Sequence, residues 1–211
     1  MTASGALIVF ARQPIAGMVK TRLGASIGAE AAMNVYARLL DRTIDIATQS
    51  RFPNRYLYAS QPQCVEYFRG RLDAEQWQVR GQCSGDIGQR MVDAIGRALV
   101  DHSFVALIGS DIADFLLEDL NESYAALEST DNGAVLGPSA DGGYWLIAAR
   151  QIYPELFREM HWSAEDVART TLDRFNHIGV KVVIVAERHD VDEASDLQFI
   201  SGWLDQEGET T

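Results

Sequence analysis

The sequence predicts a three-layer α/β fold in which helices cover both faces of a mainly parallel central sheet. Strand-like apolar segments alternate with helical segments along the chain, which is the pattern of a doubly wound sheet. The first strand-like segment, residues 6–11, is apolar throughout, as expected for a parallel strand that is buried on both faces. The 211 residues are 47% hydrophobic and 23% charged, which is a globular composition. No linker-like stretch interrupts them, so we expect one domain over residues 1–206 and a polar tail over residues 207–211.

Helices and strands follow one another in a regular order after the first strand. The segment 28–47 has apolar residues at i, i+3 and i+4 spacing, which predicts a long amphipathic helix. Asp86 and Gln89 have the spacing of a capping box and predict the start of a helix that ends near residue 100. Further strands are predicted at residues 55–60, 76–79, 104–109, 134–137, 144–149 and 180–186, and further helices at residues 65–72, 116–127, 163–175 and 194–204.

The charge balance restricts the partners of the chain. Its formal net charge is −12, whereas nucleic acids and anionic membrane surfaces require a basic footprint, so we expect neither as a partner. No apolar run approaches the roughly 18 residues that a membrane-spanning helix needs. The first apolar run lacks the features of a signal peptide, so we expect a cytoplasmic protein. Cys64 and Cys83 have no zinc-site spacing and are expected to be reduced thiols.

Ligands of doubly wound sheets bind at the carboxyl ends of the strands, so a site is expected in the loops that follow strands. The loop after the first strand carries three cations, Arg12, Lys20 and Arg22, in an acidic protein whose one other lysine is Lys181. Together with Gly17, which permits unusual backbone turns, this composition indicates a loop that binds a diphosphate. The loop matches neither the ATPase nor the dinucleotide-binding motif. The alternative is a solvated basic loop.

Asp111 directly follows the buried strand predicted at residues 104–109. A carboxylate in that position is suited to hold a hard cation such as Mg²⁺ or Mn²⁺ through its oxygens. The alternative is that Ser110 or Asp111 only caps or turns the chain toward the next helix. Asp114 is better placed to cap that helix, which leaves Asp111 for a metal.

Two adjacent glycines, Gly142 and Gly143, follow Asp141 in the loop between two predicted strands. Paired glycines indicate positive φ angles or backbone that approaches a ligand closely. Asp141 would then face the site and orient or deprotonate an acceptor hydroxyl. The alternative is a tight loop in which Asp141 is an ordinary turn residue.

Two acidic residues, Asp190 and Asp192, follow the strand predicted at residues 180–186. At the end of that strand, we expect only one of them to face the site. Asp192, next to the start of the final helix, is the candidate for a second metal ligand. The alternative is that Asp192 or Ser195 caps that helix, and the two roles are compatible.

Two further segments are candidates for substrate contacts. Gln82, Gly85 and Asp86 precede a helix whose first amide groups lack partners, which favours binding of an anion or of the edge of a base. The alternative is that these residues only form the helix cap. Trp162 and Ser163 form a candidate loop on the substrate side, where the alternative for Trp162 is packing in the core.

Six of these segments occur together in one order. They are Phe10-Ala-Arg with Gly17-x-Val-Lys-Thr-Arg-Leu23, Gln82 with Gly85-Asp-Ile-Gly-Gln-Arg-Met91, Gly109-Ser-Asp111, Leu136-Gly-Pro with Asp141-Gly-Gly-Tyr144, Trp162-Ser163 and Asp190-Val-Asp192. Over residues 6–197 the chain resembles the bacterial DUF2064 family, often named arsenosugar-biosynthesis-associated glycosyltransferases, which has the Rossmann-like GT-A fold. Each segment is weakly informative alone, whereas six in order are specific.

This resemblance implies a nucleotide pocket around Arg12, Lys20 and Arg22, with a divalent metal at Asp111 helped by Asp192. The same loops are more distantly similar to nucleotidyltransferases, among them the 2-phospholactate guanylyltransferases and the cytidylyltransferases of isoprenoid synthesis.

The chain departs from the family pattern at two places. Ile112-Ala113 stands where the family usually has Cys-Pro, and Ala164 stands where it usually has Thr. The first change affects the geometry of the metal loop, and the second removes a hydroxyl from a loop on the acceptor side.

The expected function is that of a metal-dependent glycosyltransferase, which moves a sugar from a nucleotide-diphospho-sugar to a small-molecule acceptor. Lys20 and Arg12 would supply positive charge as the nucleoside diphosphate leaves. One alternative is nucleotidyl transfer from an NTP to a phosphorylated acceptor, with release of pyrophosphate. Another is a nucleotide-binding domain without turnover. The base, the sugar, the acceptor and the oligomeric state stay open.

Overall fold

The computed structural model describes residues 4–129, 133–162 and 164–204 of the chain. The strands among these residues are Gly5–Ala11 (β1), Asn54–Ala59 (β2), Gln78–Gly81 (β3), Phe104–Ile108 (β4), Gly133–Pro138 (β5), Tyr144–Ala149 (β6) and Lys181–Ile184 (β7). The α-helices are Thr21–Ile27 (α1), Ala29–Gln49 (α2), Val65–Arg69 (α3), Ile87–Ala98 (α4), Leu117–Glu128 (α5), Val167–His177 (α6) and Ser201–Leu204 (α7). Segments of 3₁₀ helix are Pro62–Cys64, Pro154–Leu156 and Ala194–Phe199. The predicted polar tail at residues 207–211 lies outside the described residues.

The strands form one sheet in the order β3-β2-β1-β4-β6-β5-β7. Its strands are parallel except β6, which is antiparallel to both β4 and β5. The reversal has a local cause, because residues 139–143 are too few for the crossover that a parallel connection from β5 to β6 would need. The prediction of a mainly parallel sheet is confirmed.

Side chains of β1 alternate between two hydrophobic layers. Leu7 and Val9 pack into a core with α2 and α5, whereas Ile8 and Phe10 pack into a second core with α4 and α6. Because every residue of β1 is buried, the strand is covered on both faces, as its unbroken apolar sequence predicted. Helices on both faces give the three-layer arrangement.

Three helical predictions differ from the structure in extent. The helix predicted at residues 28–47 corresponds to α2, but a separate helix, α1, precedes it, and Gly28 at φ +92° divides the two. The final helix predicted at residues 194–204 is a 3₁₀ segment followed by α7. The helix α6 begins at Val167, later than predicted. No helix in the described part of the chain combines the length and the apolar character needed to cross a membrane.

The prediction that Asp114 caps α5 is wrong. The N-cap of this helix is Leu116, whose N–H donates to Oδ2 of Asp119 at 2.7 Å. Asp114 instead accepts hydrogen bonds from the backbone N–H and from Nδ1 of His189, both at 2.9 Å. Asp114 therefore ties the loop after β4 to the segment after β7, and this connection holds two loops of the candidate site together.

Candidate active site

Two pockets adjoin each other at the carboxyl ends of the strands, and Phe10, Ile87 and Gly109 line both of them. The first pocket, about 390 Å³, lies where β1, β2, β3 and β4 end. The second pocket, about 260 Å³, lies beside β6 and the loop between β5 and β6. Both of these pockets therefore lie at the edge of the sheet that the sequence predicted for a site.

Lys20, Asp111 and Asp192 meet in the first pocket, although they come from loops far apart in the sequence. The Lys20 ammonium donates to Oδ2 of Asp111 at 3.0 Å and to Oδ1 of Asp192 at 2.8 Å. The Lys20 side chain is only 5% exposed, whereas the two carboxylates are 40% and 45% exposed. The carboxylates therefore remain accessible from the pocket while the ammonium lies beneath them.

The ion pairs determine the charges of this group. Burial alone would lower the pKa of Lys20, but Asp111 and Asp192 raise it above its ordinary value. Burial alone would raise the pKa of Asp111, but the charge and hydrogen bond of Lys20 hold it below the ordinary value. Lys20 is consequently protonated and Asp111 ionised at neutral pH.

The backbone of Lys20 is in the left-handed region, at φ 46° and ψ 48°, directly before the first residue of α1. A residue with a Cβ atom adopts this conformation at a cost on the order of 1–3 kcal/mol, and such strain is concentrated at functional sites. The carbonyl of Lys20 accepts the hydrogen bond of Gly24 at 2.8 Å, so α1 fixes the backbone from which the ammonium extends. The two ion pairs and α1 together hold this conformation.

Tyr36 of α2 connects the two loops that form the floor of the first pocket. Its buried hydroxyl accepts a hydrogen bond from the Arg12 backbone N–H at 2.8 Å and shares another with Oγ of Ser110 at 2.8 Å. Burial raises the pKa of the Tyr36 phenol, which therefore stays neutral. The sequence placed Tyr36 only on the apolar face of its helix, and nothing in the pattern distinguished it from the neighbouring leucines.

The remaining residues predicted for nucleotide binding fall into two groups. Arg12, Arg22 and Gln82 line the first pocket, and Arg90 adds a cation that the sequence prediction did not include. Gly85 and Asp86 are not among the described lining residues.

The observed contacts of Gly85 and Asp86 are those of a helix cap. Asp86 Oδ1 accepts from the N–H of Gln89 at 2.8 Å, and the Gln89 side chain accepts from the N–H of Asp86 at 3.0 Å. Gly85 has φ +118°, and its carbonyl accepts from Nε of Arg90 at 2.9 Å. The predicted capping box is formed, and substrate contact by these two residues stays a prediction.

Asp141 lies in the second pocket in a fixed orientation. Its Oδ1 accepts hydrogen bonds from Oγ of Ser139 at 2.5 Å and from the N–H of Gly143 at 2.9 Å. Gly142 has φ +88°, and a Cβ atom there would lie 2.0 Å from the carbonyl oxygen of Glu165. The loop thus requires glycine at position 142 both for its turn and for its packing against the segment before α6.

Asp190 and Asp192 both face the site, contrary to the expectation that only one of them would. Asp192 lines the first pocket, whereas Asp190 lines the second. Isolated bridges join Arg188 to Ser139 and Asp190 to Ile112, and residues two apart in such an extended segment project to the same face, which explains why both carboxylates reach the site. Burial and the nearby carboxylates Asp141, Asp192 and Asp111 raise the pKa of Asp190 to about 6.

Trp162 also lines the second pocket, and its indole has the packing contacts expected of a core residue. The ring stacks on Phe157 with centroids 6.3 Å apart and meets the edge of Tyr144 at 6.5 Å. Gly88 leaves room for it, since a Cβ atom there would lie 2.5 Å from the indole. Ser163, the other predicted residue of this loop, lies outside the described residues.

The acidic side chains fit a divalent cation. Asp111 and Asp192 contact the Lys20 ammonium, and Asp190 lies near both of them and near Asp141, so several hard oxygen ligands are available in this region. Within the described ranges, no three His, Cys, Asp or Glu side chains are arranged as a complete ligand set. A magnesium ion commonly takes one or two carboxylates and completes its shell with substrate phosphates and water. Asp111 and Asp192 suit that manner of binding.

A family model described as "Uncharacterized protein conserved in bacteria (DUF2064)" matches residues 43–164, which is more than half of the chain. The chain belongs to the DUF2064 family. The matched segment of this DUF2064 protein includes Gln82, Asp111 and Asp141, but not the Lys20 loop or Asp192. No curated protein sequence matches the chain.

Solved structures are similar to the DUF2064 protein over nearly its whole length. A Desulfovibrio desulfuricans G20 protein proposed to be a nucleotide-diphospho-sugar transferase is 26% identical, with a TM-score of 0.86 over 99% of this chain and 89% of that one. The inositol-1-phosphate CTP transferase of T. maritima is 15% identical, with a TM-score of 0.62 over 94% and 96% of the two chains. The manganese complex of Rv0371c from Mycobacterium tuberculosis H37Rv is 16% identical, with a TM-score of 0.55 over 96% and 100%. These similarities identify the α/β fold as that of the nucleotide-dependent transferases.

Proposed function

We propose that this protein is a metal-dependent glycosyltransferase that moves a sugar from a nucleotide-diphospho-sugar to a small-molecule acceptor. The observation that carries the proposal is the convergence of Lys20 with Asp111 and Asp192 in a pocket that Arg12 and Arg22 also line. A diphosphate with its metal needs both cations and metal-binding oxygens in one cavity. The similarity to the Desulfovibrio protein supports the same class of donor.

The first pocket would bind the nucleoside diphosphate part of the donor. Arg12, Arg22 and Arg90 offer guanidinium groups to the phosphate oxygens, and Lys20 adds charge at the floor. Fixed positive groups stabilise the charge that develops on a leaving diphosphate without reorganisation at the moment of reaction. A Mg²⁺ or Mn²⁺ ion held by Asp111 and Asp192 would supply Lewis-acid stabilisation of that same charge.

The second pocket would bind the acceptor. The acceptor hydroxyl oxygen forms a bond to the anomeric carbon of the sugar while the bond from that carbon to the phosphate oxygen breaks, and the nucleoside diphosphate leaves with the electron pair. The hydroxyl proton passes to the carboxylate of Asp141. Ser139 and Gly143 hold Oδ1 of Asp141, and its Oδ2 has no hydrogen-bond partner among the residues described, so that oxygen is available for the proton.

Nucleotidyl transfer is the second candidate, and the similarity to the inositol-1-phosphate CTP transferase favours it. In that reaction the same cations would surround the α-phosphate of an NTP, the phosphorylated acceptor would attack it, and pyrophosphate would leave. The two reactions share their phosphate chemistry in the first pocket. They differ in the product released: a nucleoside diphosphate in one, pyrophosphate in the other.

The test is a thermal-shift panel of NTPs and nucleotide sugars, each with and without Mg²⁺ and Mn²⁺, followed by product analysis with the ligands that bind. A ligand at a hundred times its dissociation constant should raise the unfolding free energy by about 2.7 kcal/mol. Metal-dependent release of nucleoside diphosphate from a nucleotide sugar is the expected result. Release of pyrophosphate from an NTP would select the second candidate, and binding without turnover would indicate a nucleotide-binding domain.

A further inference from the structure

The second pocket differs from the first in the sign of its charges. Its charged lining residues are Asp141 and Asp190, and Lys, Arg and His are missing from the described residues around it. The first pocket, by contrast, has four cationic side chains against the two carboxylates of Asp111 and Asp192, so its net charge is positive. A phosphate group in the second pocket would face two carboxylates without a cation of the protein to balance it.

Cations near the second pocket are engaged elsewhere. Arg188 precedes Asp190 by two residues, but its guanidinium forms two hydrogen bonds with the buried Asp119, at 2.8 and 2.9 Å. The amino end of α6 also lies at the pocket, through Val167. Of its first amide groups, that of Ala168 already donates to the Gly142 carbonyl at 2.9 Å. Neither the nearest arginine in the sequence nor this amide is free to bind a phosphate.

The walls of the second pocket are largely apolar and aromatic. The side chains that form them are Phe10, Met91, Ile112, Tyr144, Trp145 and Trp162. Such surface binds the aliphatic or aromatic body of a ligand, and the few polar groups fix its orientation. Carboxylates against aromatic rings also favour a cationic group.

We propose that the second pocket selects an acceptor without a phosphate group: a hydroxyl compound, neutral or cationic, with an aliphatic or aromatic body. Its use as an acceptor pocket rests on the sugar transfer proposed above. The selection separates the two candidate reactions as stated above, because that nucleotidyl transfer would place a phosphorylated acceptor beside Asp141 and Asp190, whereas sugar transfer to a hydroxyl would not. Placing like charges together is costly and is a common means of rejecting a ligand.

The experiment uses the full chain labelled with 5-fluorotryptophan and monitors Trp162 by ¹⁹F NMR, with the resonance assigned from a Trp162→Phe variant. Trp77, which packs in the other core and donates to Oγ1 of Thr48, is the internal control. The probes are two matched pairs, benzyl alcohol with benzyl phosphate and choline with phosphocholine. They are titrated with Mg²⁺ and pyrophosphate present, so that phosphate sites of the first pocket are filled.

The expected result with the alcohols is a saturable change in the ¹⁹F chemical shift of Trp162 and no change at Trp77. Each phosphate ester should need at least about tenfold higher concentration than its alcohol for half of the maximal change. The double substitution Asp141→Asn with Asp190→Asn should narrow that ratio to about threefold or less, whereas Asp173→Asn on the exposed side of α6 should not change it. Phosphate esters that bind equally or more tightly would overturn the proposal, and so would alcohols that leave Trp162 unchanged.

Failure of the proposed sugar transfer and failure of the proposed selectivity give different results. If no nucleotide binds to the protein and Trp162 still prefers the alcohols, the sugar transfer is wrong while the selectivity of the pocket stands. If nucleotide sugars are turned over and Trp162 responds equally to the phosphate esters, the selectivity is wrong while the transfer stands.

Discussion

The two pockets are built from different parts of the sheet and carry opposite charges. The first lies at the ends of four neighbouring parallel strands, and its arginines and one lysine come from the loop that follows β1, from the start of α1 and from α4. The second lies where β6 reverses the strand direction, and its charged groups are the carboxylates of Asp141 and Asp190. The parallel half thus concentrates positive charge suited to phosphates, and the mixed half provides a carboxylate suited to a hydroxyl proton.

The segment after β7 joins these two regions. It gives Asp192 to the first pocket and Asp190 to the second, and Asp114 and Ser139 fix it from either side. A transfer reaction needs donor and acceptor in contact but held by different chemistry. The common border at Phe10, Ile87 and Gly109, none of which is charged, brings the two pockets into contact.

The largest effect is expected from Lys20→Met, which removes the charge at the floor of the first pocket. Turnover of the nucleotide sugar should fall by about 10³-fold, because a fixed positive group no longer stabilises the leaving diphosphate. The concentration of Mg²⁺ needed for half-maximal activity should also fall, since Asp111 and Asp192 lose their counter-charge. Initial rates measured over a range of metal concentrations test both effects.

The matched control is Lys181→Met, at an exposed position at the start of β7, the end of that strand opposite to the edge where the pockets lie. This variant should keep the turnover and the metal dependence of the original protein. Equal activity of the two variants would remove Lys20 from the proposed mechanism.

Asp141→Asn should affect the second pocket alone. The asparagine oxygen can still accept hydrogen bonds from Ser139 and Gly143, so the loop keeps its shape, but the side chain no longer takes a proton. We expect kcat to fall by about 10²-fold while nucleotide affinity, measured by thermal shift, stays unchanged. Full turnover on an identified acceptor would show that Asp141 is not the base.

Much of the first pocket was predictable because its signals are local. A buried strand followed by a cationic or acidic loop can be recognised from neighbouring residues, and the strand-end rule then brings those loops to one edge. Lys20 and Asp111 were predicted in this manner, and the structure places them in contact. The capping box at Asp86 and Gln89 is equally local and is formed.

The features that could not be predicted depend on tertiary contacts. The pattern of α2 identified Tyr36 only as a buried position, and the partners of its hydroxyl come from two distant loops. Asp114 has the spacing of a helix cap, but His189 competes for it from another part of the chain. Asp190 and Asp192 are two residues apart, so extended backbone turns both toward the same face, and the expectation that only one would face the site was wrong for that reason.

Gly142→Ala should destabilise the protein and distort the second pocket more than the first. Its φ of +88° costs a residue with a Cβ atom about 1–3 kcal/mol, and contact with the Glu165 carbonyl adds to that cost. Gly96→Ala is the control, because Gly96 lies within α4 with open space around it and should gain about 0.5–1 kcal/mol. Urea unfolding measures both, and a Gly142→Ala variant as stable as the original would contradict the loop conformation described.

The smallest effect is expected from Tyr36→Phe, which changes one oxygen atom beneath the first pocket. The Arg12 N–H and the Ser110 hydroxyl lose a buried partner, so the free energy of unfolding should fall by about 1 kcal/mol. Because both groups belong to loops that would hold the diphosphate, KM for the nucleotide sugar should rise several-fold while KM for the acceptor stays the same. The control is Tyr67→Phe, because the Tyr67 hydroxyl contacts Arg71 at the surface. It should change neither the free energy of unfolding nor the KM for the nucleotide sugar. A rise in both KM values would mean that Tyr36 supports the whole edge of the sheet, and the separation of the two pockets would then be weaker than their charges suggest.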